Sequence, residues 1–215
     1  MANDLRFFKF TPGERWHYFD GYAENQYFVD PFKLMLTTPD INSQTGNYEN
    51  FGVTATILAN YLREQGIIPE KCDLNLILFL LTPAESMAKM QHLVAQITHF
   101  EQLLEIDTPL ADVLPTIYRN NQQRYQHYTI RQLCQEMHDL YAKLNVKPLQ
   151  KEMFRQSHFP AVKMLPQAAN IQFVRGQVEL IAIGNIAGRI AVEGELPYPP
   201  GVLCVVPKEV WGGAV

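Results

Sequence analysis

The stretch from Leu74 to Leu81 (LNLILFLL) is apolar throughout except for Asn75. A run of this length suits a strand covered on both faces, because a half-exposed strand would alternate polar and apolar residues. It stops on Thr82-Pro83-Ala84-Glu85. Thr82 is suited to cap a helix, Pro83 to its first turn, and Glu85 to reach back to the cap's backbone N–H. Upstream, Val53, Ile57, Tyr61 and Leu62 recur at helical spacing until Gly66 ends the turn. The local order is therefore helix, short loop, buried strand, helix, and the loop carries Pro69, Glu70 and Lys71. On composition alone Glu70 reads as a solvated loop glutamate beside Lys71.

With 215 residues the chain can bury a substantial core and hold one large or two small domains. Apolar content of 47% and charged content of 19% are those of an ordinary globular protein. A formal net charge of −4 leaves no basic footprint for nucleic acid or anionic lipid, so neither is expected as a partner. The pure apolar run Leu76 to Leu81 is far too short to span a bilayer, and no charged-then-apolar leader opens the chain. Cys72, Cys134 and Cys204 are odd in number and widely spaced, which argues against a disulfide framework and fits a reducing cytoplasm.

Leu5 to Phe10 reads as a first strand, stopped by Thr11-Pro12-Gly13. The aromatic set Trp16, Tyr18, Phe19, Tyr22, Tyr27 and Phe28 could stack a planar ligand, but packing explains it better where no basic residues surround it. Phe32, Leu34 and Leu36 alternate with Lys33, Met35 and Thr37, a second strand, and Thr38 to Asn50 is a polar, turn-rich loop. After the central strand, an amphipathic helix is expected from Pro83 to about Leu104. Its apolar stripe would hold Met87, Met90, Val94, Ile97 and His99 to Leu104, with Lys89, Gln91 and Gln96 outward. Such a Met stripe is core rather than a ligand box. Asp107-Thr108-Pro109 breaks the pattern and marks a domain boundary.

Leu110 to Tyr118 keeps helical spacing despite Pro115, and a polar segment follows to Gln126. Thr129 starts a clear amphipathic helix with Ile130, Leu133, Cys134, Met137, Leu140, Tyr141 and Leu144 as its buried face. Cys134 and His138, four apart, could share a metal, but no third ligand of suitable spacing is visible, so core packing is the reading and no metal is expected. Leu149 to Phe154 continues helical, and a short helix after Pro166 ends at Gly176. Val178 to Ile183, Arg189 to Glu193 and Val202 to Val206 then read as strands, with Gly184, Gly188 and Gly194 at hairpin turns. Those glycines do not make a phosphate-cradling loop. Glu195 to Gly201 (ELPYPPG) is a stiff extended corner rather than a proline-rich docking motif.

Four segments together resemble the bacterial pyridoxal-phosphate-dependent ornithine/lysine/arginine decarboxylases, and most closely their ornithine decarboxylases. They are the Pro69-Glu70-Lys71 loop, Gly21 to Pro39, Tyr128 to Tyr141 and Gly188 to Val215. The resemblance runs over essentially the whole chain but concerns only the carboxyl-terminal portion of that family's longer polypeptide. It implies an α+β architecture. Residues 1–107 would be the aminotransferase-like small domain, helices packed on a short sheet, and residues 108–215 a truncated form of the family's C-terminal α+β domain. It also implies that Glu70 binds the distal ammonium of a small cationic amino acid, a role that suits a carboxylate because a charge-assisted hydrogen bond is short and strong. The parent reaction is that of a lyase in polyamine biosynthesis, L-ornithine to putrescine and CO2.

In the family the Schiff-base lysine follows a histidine, and no His-Lys pair occurs in this sequence. The resemblance therefore implies that the cofactor domain lies outside this chain. No catalytic or cofactor-binding residue, and no bound pyridoxal phosphate, is expected of the chain alone. Intact decarboxylase subunits or a separately encoded cofactor domain are the partners it would take. A binding module for such subunits, or a remnant with no function, are the competing readings. Asp40, Thr54, Leu76, Glu195 and Lys208 replace the glycine, proline, serine, alanine and glycine usual in the family. If the family glycines have positive φ, Asp40 and Lys208 would be strained.

Overall fold

The apolar run forms the middle strand of a small sheet. The computed structural model describes residues 23–24, 26, 28–42, 45–153, 155–196 and 203–212. The expected strand at Leu5 to Phe10, most of the aromatic set and most of the Pro-rich corner lie outside them. β1 (Lys33–Thr37), β2 (Lys71–Cys72) and β3 (Leu76–Leu80) make an antiparallel sheet in the order β1-β3-β2. Lys33 pairs with Leu80 and Thr37 with Leu76, while Lys71 pairs with Leu78. Leu34 and Leu36 of β1 turn toward the core and Met35 toward solvent, as the alternation requires.

α1 (Ala55–Glu64) precedes the sheet's second strand and buries Ile57, Leu58, Tyr61 and Leu62. Gly66 ends it at φ 75°, with its N–H on the Arg63 carbonyl and the Ile67 N–H on that of Leu62, the paired bonds of a Schellman turn. α2 (Met87–Glu105) starts four residues later than Thr82 would place it. Thr82-Pro83-Ala84-Glu85 instead closes a turn of its own, the Glu85 N–H donating to the Thr82 carbonyl at 3.0 Å. Proline at the second position of a turn is as well placed as at a helix start, and Ser86 becomes the cap, accepting from the Lys89 N–H.

The buried face of α2 is also rotated from the expected one. Leu93 and Phe100 are buried, with Ile97, Leu103 and Leu104 beside them, whereas Met87 and Val94 are 69% and 63% exposed. Val94 lies about 100° round the helix from Leu93, so only one of the two can face α1. Gln96, expected outward, is half-buried and accepts a hydrogen bond from the Tyr61 hydroxyl.

Beyond Asp107 (φ 54°), Leu110 to Asn120 is two helices rather than one, α3 (Leu110–Val113) and α4 (Pro115–Asn120). Pro115 has no N–H to continue the ladder and sits at the first turn of the second. α5 (Gln122–Tyr125) leads to α6 (Ile130–Leu144), which Thr129 and Gln132 close with a reciprocal capping box. α7 (Val146–Glu152) and α8 (Pro166–Val174) follow, with Gly176 at φ 66° ending the latter. One cluster of buried apolar residues runs from Val53 to Cys134, so α3 and α6 share the core of α1, α2 and the sheet.

The three strands expected between Val178 and Val206 do not form among the described residues. Among the described residues Val178 to Ala182 has no strand partner, and Ile183–Asn185 is a single 3-10 turn. Residues 188–195 do run antiparallel to 204–211, with the Ala191 N–H on the Glu209 carbonyl and the Glu195 N–H on that of Val205, both 2.8–2.9 Å. Only isolated bridges result, because Pro207 carries no N–H and Lys208 adopts φ 104° between them. Lys208 thus occupies the left-handed region, while Asp40 does not.

Burial raises the Cys134 thiol from 9.0 to about 12, with Arg131 opposing. The folded value lies above the unfolded one, so the stabilisation is complete below about pH 9 and is lost as pH rises toward 12. At pH 10 the loss is about 1.4 kcal/mol. Native Cys134 is expected to resist alkylation at pH 8 while half-exposed Cys72 reacts, as read by peptide mass spectrometry, and Cys134→Ala should flatten the alkaline decline.

Candidate functional site

Glu70 sits on the bend that leads into β2. Pro69 before it is buried, and Glu70 itself is exposed. Its N–H donates to the Leu78 carbonyl at 2.9 Å, one step beyond the Lys71–Leu78 pair, so the sheet fixes its backbone. Its carboxylate makes no hydrogen bond or ion pair with the other described residues. A carboxylate so placed is available to a cation arriving from outside. A groove of about 580 Å³ lies nearby, walled by Gly66, Ile68, Phe79, Leu80, Lys89 and Leu93, but Glu70 is not among its walls.

A second polar constellation joins the loop after β1 to α6, and its members are not connected by any local sequence pattern. Asp40, in the 38–50 loop, is fully buried, and His138 of α6 is 2% exposed. His138 Nδ1 lies 2.5 Å from Asp40 Oδ1, and Nε2 lies 2.6 Å from the Glu49 carbonyl oxygen. His138 therefore takes a core position where Leu140 and Leu144 were expected, and those two leucines are about half exposed. Both ring nitrogens are engaged by Asp40 and Glu49, so a metal shared with Cys134 has no place at this ring. Among the described residues no cluster of three His, Cys, Asp or Glu could hold a metal ion.

Gly52 makes room for the pair. A Cβ there would collide with His138 Nδ1 and lie 2.5 Å from Asp40 Oδ1 and 2.9 Å from Asp40 Cα. Around it, Tyr48 meets the His138 ring edge-on at 5.8 Å, and the Lys147 N–H donates to the Tyr48 hydroxyl. Lys147 Nζ donates to Asn75 Oδ1, and Gln150 Nε2 to both oxygens of Asp73. Burial pushes the Tyr48 phenol up; the Lys147 N–H opposes this and the nearby Asp40 adds to it. The Tyr141 phenol is raised in the same way, by burial first and then by Asp40. These contacts sew the loops around β1 and β3 to α6 and α7.

Comparison with known proteins gives this arrangement a lineage. The profile described as "Orn/Lys/Arg decarboxylase, major domain" matches residues 1–89, and "Orn/Lys/Arg decarboxylase, C-terminal domain" matches residues 147–215. The chain belongs to the Orn/Lys/Arg decarboxylase family. It is 69% identical over all 215 residues to the inducible ornithine decarboxylase of Escherichia coli (strain K12), and 63% identical over 211 residues to an ornithine decarboxylase of Haemophilus influenzae. It spans 29% of the length of each of these relatives. A solved structure of the E. coli constitutive lysine decarboxylase superposes with a TM-score of 0.86 at 30% identity, over 98% of this chain and 29% of that one. This agrees with the α+β architecture and with the segments that carried the resemblance.

Decarboxylases of the resembled kind hold pyridoxal phosphate on a lysine, which needs an amine that can shed its water and its counter-ion. Neither of the two grooves among the described residues meets that requirement. A cleft of about 800 Å³ between α8 and residues 186–193 has no lysine in its walls. In the smaller groove Lys89 is 61% exposed and lies 3.1 Å from Glu85. Among the described residues no helix is long and apolar enough to cross a membrane.

Proposed function

We propose that this chain is the small-domain and C-terminal-domain portion of a pyridoxal-phosphate-dependent ornithine decarboxylase, with residues 1–107 and 108–215 as its two parts. In that assembly L-ornithine loses CO2, a proton takes its place on the α-carbon, and putrescine leaves for polyamine synthesis in the cytoplasm. The observation that carries this reading is the 69% identity to an ornithine decarboxylase along the entire chain. Glu70 contributes substrate recognition: its carboxylate, unpaired among the described residues and carried on a backbone fixed by the sheet edge, receives the distal ammonium of ornithine. The cofactor and its lysine come from outside these 215 residues, and the polypeptide alone does not decarboxylate.

The test replaces the corresponding segment of the E. coli inducible enzyme with this one. The chimera is expected to release CO2 from ornithine in preference to lysine. Glu70→Gln in it should raise KM for ornithine by about 10-fold or more, from the roughly 1.5–3 kcal/mol of a hydrogen bond to a charged group. The isolated chain, mixed with pyridoxal phosphate and ornithine, should show neither an aldimine absorption band nor CO2. A chimera that folds and holds the cofactor without turnover, or an isolated chain that turns over, refutes the reading.

A second reading has support in the exposed apolar surface. Ile68 and Ile183 are at least 80% exposed, and Leu180 is fully so. Surface of that kind marks interaction sites, and the chain would then associate with intact decarboxylase subunits. Co-expression with such a subunit and size-exclusion chromatography decides this: separate elution with unchanged activity removes it.

A further inference from the structure

We propose that Asp40 and His138 are a proton-sharing latch that fastens the 38–50 loop onto α6. The carbonyl of Glu49 can only accept, so Nε2 must carry a hydrogen. Nδ1 then meets Asp40 Oδ1 at 2.5 Å. A neutral ring with its hydrogen on Nε2 would set a lone pair against a carboxylate there. The contact is satisfied only when a further hydrogen lies between Nδ1 and Oδ1, on either atom. The pair therefore holds one proton more than a neutral imidazole beside a carboxylate. Asp40 Oδ2, buried and without a hydrogen-bond partner among the described residues, adds to the cost of a bare carboxylate at this position.

Tyr48 from the loop meets the His138 ring edge-on, Tyr141 of α6 lies close enough to Asp40 to be influenced by its charge, and Lys147 of α7 directs its ammonium to Asn75. The latch also closes the loop on itself, because the Glu49 N–H donates to the Asp40 carbonyl at 3.0 Å while the His138 ring bridges the same two residues. This inference stands apart from the assignment of function above. Glycine, the residue expected here from the family pattern, could not make the bond.

Nitrogen-15 NMR of the 215-residue chain at neutral pH tests it. His138 is expected to show two ring N–H groups or one ring N–H with a hydrogen shared across to Asp40, seen as a strongly downfield proton coupled to Nδ1. Asp40→Asn should keep the loop closed, its amide N–H donating to Nδ1, and leave His138 with a hydrogen on Nε2 alone. Asp40→Gly should speed amide exchange at Glu49 at least tenfold. The proposal is overturned if wild-type His138 has a hydrogen only on Nε2 with none shared to Asp40, or if Asp40→Asn leaves hydrogens on both ring nitrogens. Unchanged exchange in Asp40→Gly overturns the latch, and should that variant not fold, the first two measurements still decide.

Discussion

Tyr61→Ala is expected to lower the stability of the chain by about 3–5 kcal/mol, the range for truncating a buried aromatic. Tyr61 of α1 is 1% exposed and meets three side chains of α2. Its ring packs on Phe100 at 5.0 Å between centroids. Its hydroxyl donates to Gln96 Oε1 at 2.9 Å and lies 2.8 Å from His99 Nδ1. The truncation thus opens a cavity and also removes the hydroxyl's contacts with Gln96 and His99. Tyr61→Phe separates the two effects: it keeps the ring and should cost about 1 kcal/mol, the net value of a hydrogen bond. Urea unfolding of the three proteins measures the difference. An alanine variant no less stable than the phenylalanine one would mean that α1 and α2 are held together elsewhere.

Gly52→Ala is the second large effect. The added methyl meets the His138 ring and the backbone of Asp40, and neither is the free end of a flexible side chain. Overpacking costs about 1–3 kcal/mol, and the upper end is expected here because both obstacles are themselves buried and bonded. In a His138→Ala background the ring is gone and only the contact with Asp40 remains, so the double mutant should be more stable than the sum of the single effects. Additive losses would place Gly52 out of reach of the ring.

Local sequence signals located what local physics controls. Gly66 and Gly176 end their helices, Thr129 starts α6, and the apolar run at Leu76–Leu80 is the central strand. Where two local solutions were of similar merit, the sequence did not choose. Thr82-Pro83 fits a turn as well as a helix start, and the difference moved α2 to Ser86. At Val178 to Val206 the β-branched residues favour extended chain, but a ladder also needs partners, and Pro207 and Lys208 interrupt the one that forms. Glu70 was located as a loop carboxylate from its own neighbourhood. Its proposed role came from family resemblance, not from its surroundings.

His138 was the more instructive miss. Its spacing from Cys134, with Ile130 and Leu133 before it, already placed it on the apolar face of α6. A buried histidine needs acceptors, and that demand pointed to partners not visible on the helix. They lie 98 and 89 residues earlier in the chain, beyond any local pattern. The glycine-to-aspartate departure at position 40 was the corresponding signal at the other end. It reads as a disturbance of loop geometry until the imidazole opposite is known.

The separation of 98 residues between Asp40 and His138 also has a consequence for how the protein is made. At about 5–20 residues per second, the ribosome delivers the histidine roughly 5–20 seconds after the aspartate. Throughout that interval the carboxylate lacks its imidazole partner, and the bridge from Asp40 to Glu49 through the ring cannot form. Its closure is timed by elongation, and it waits for the sixth helix to leave the exit tunnel.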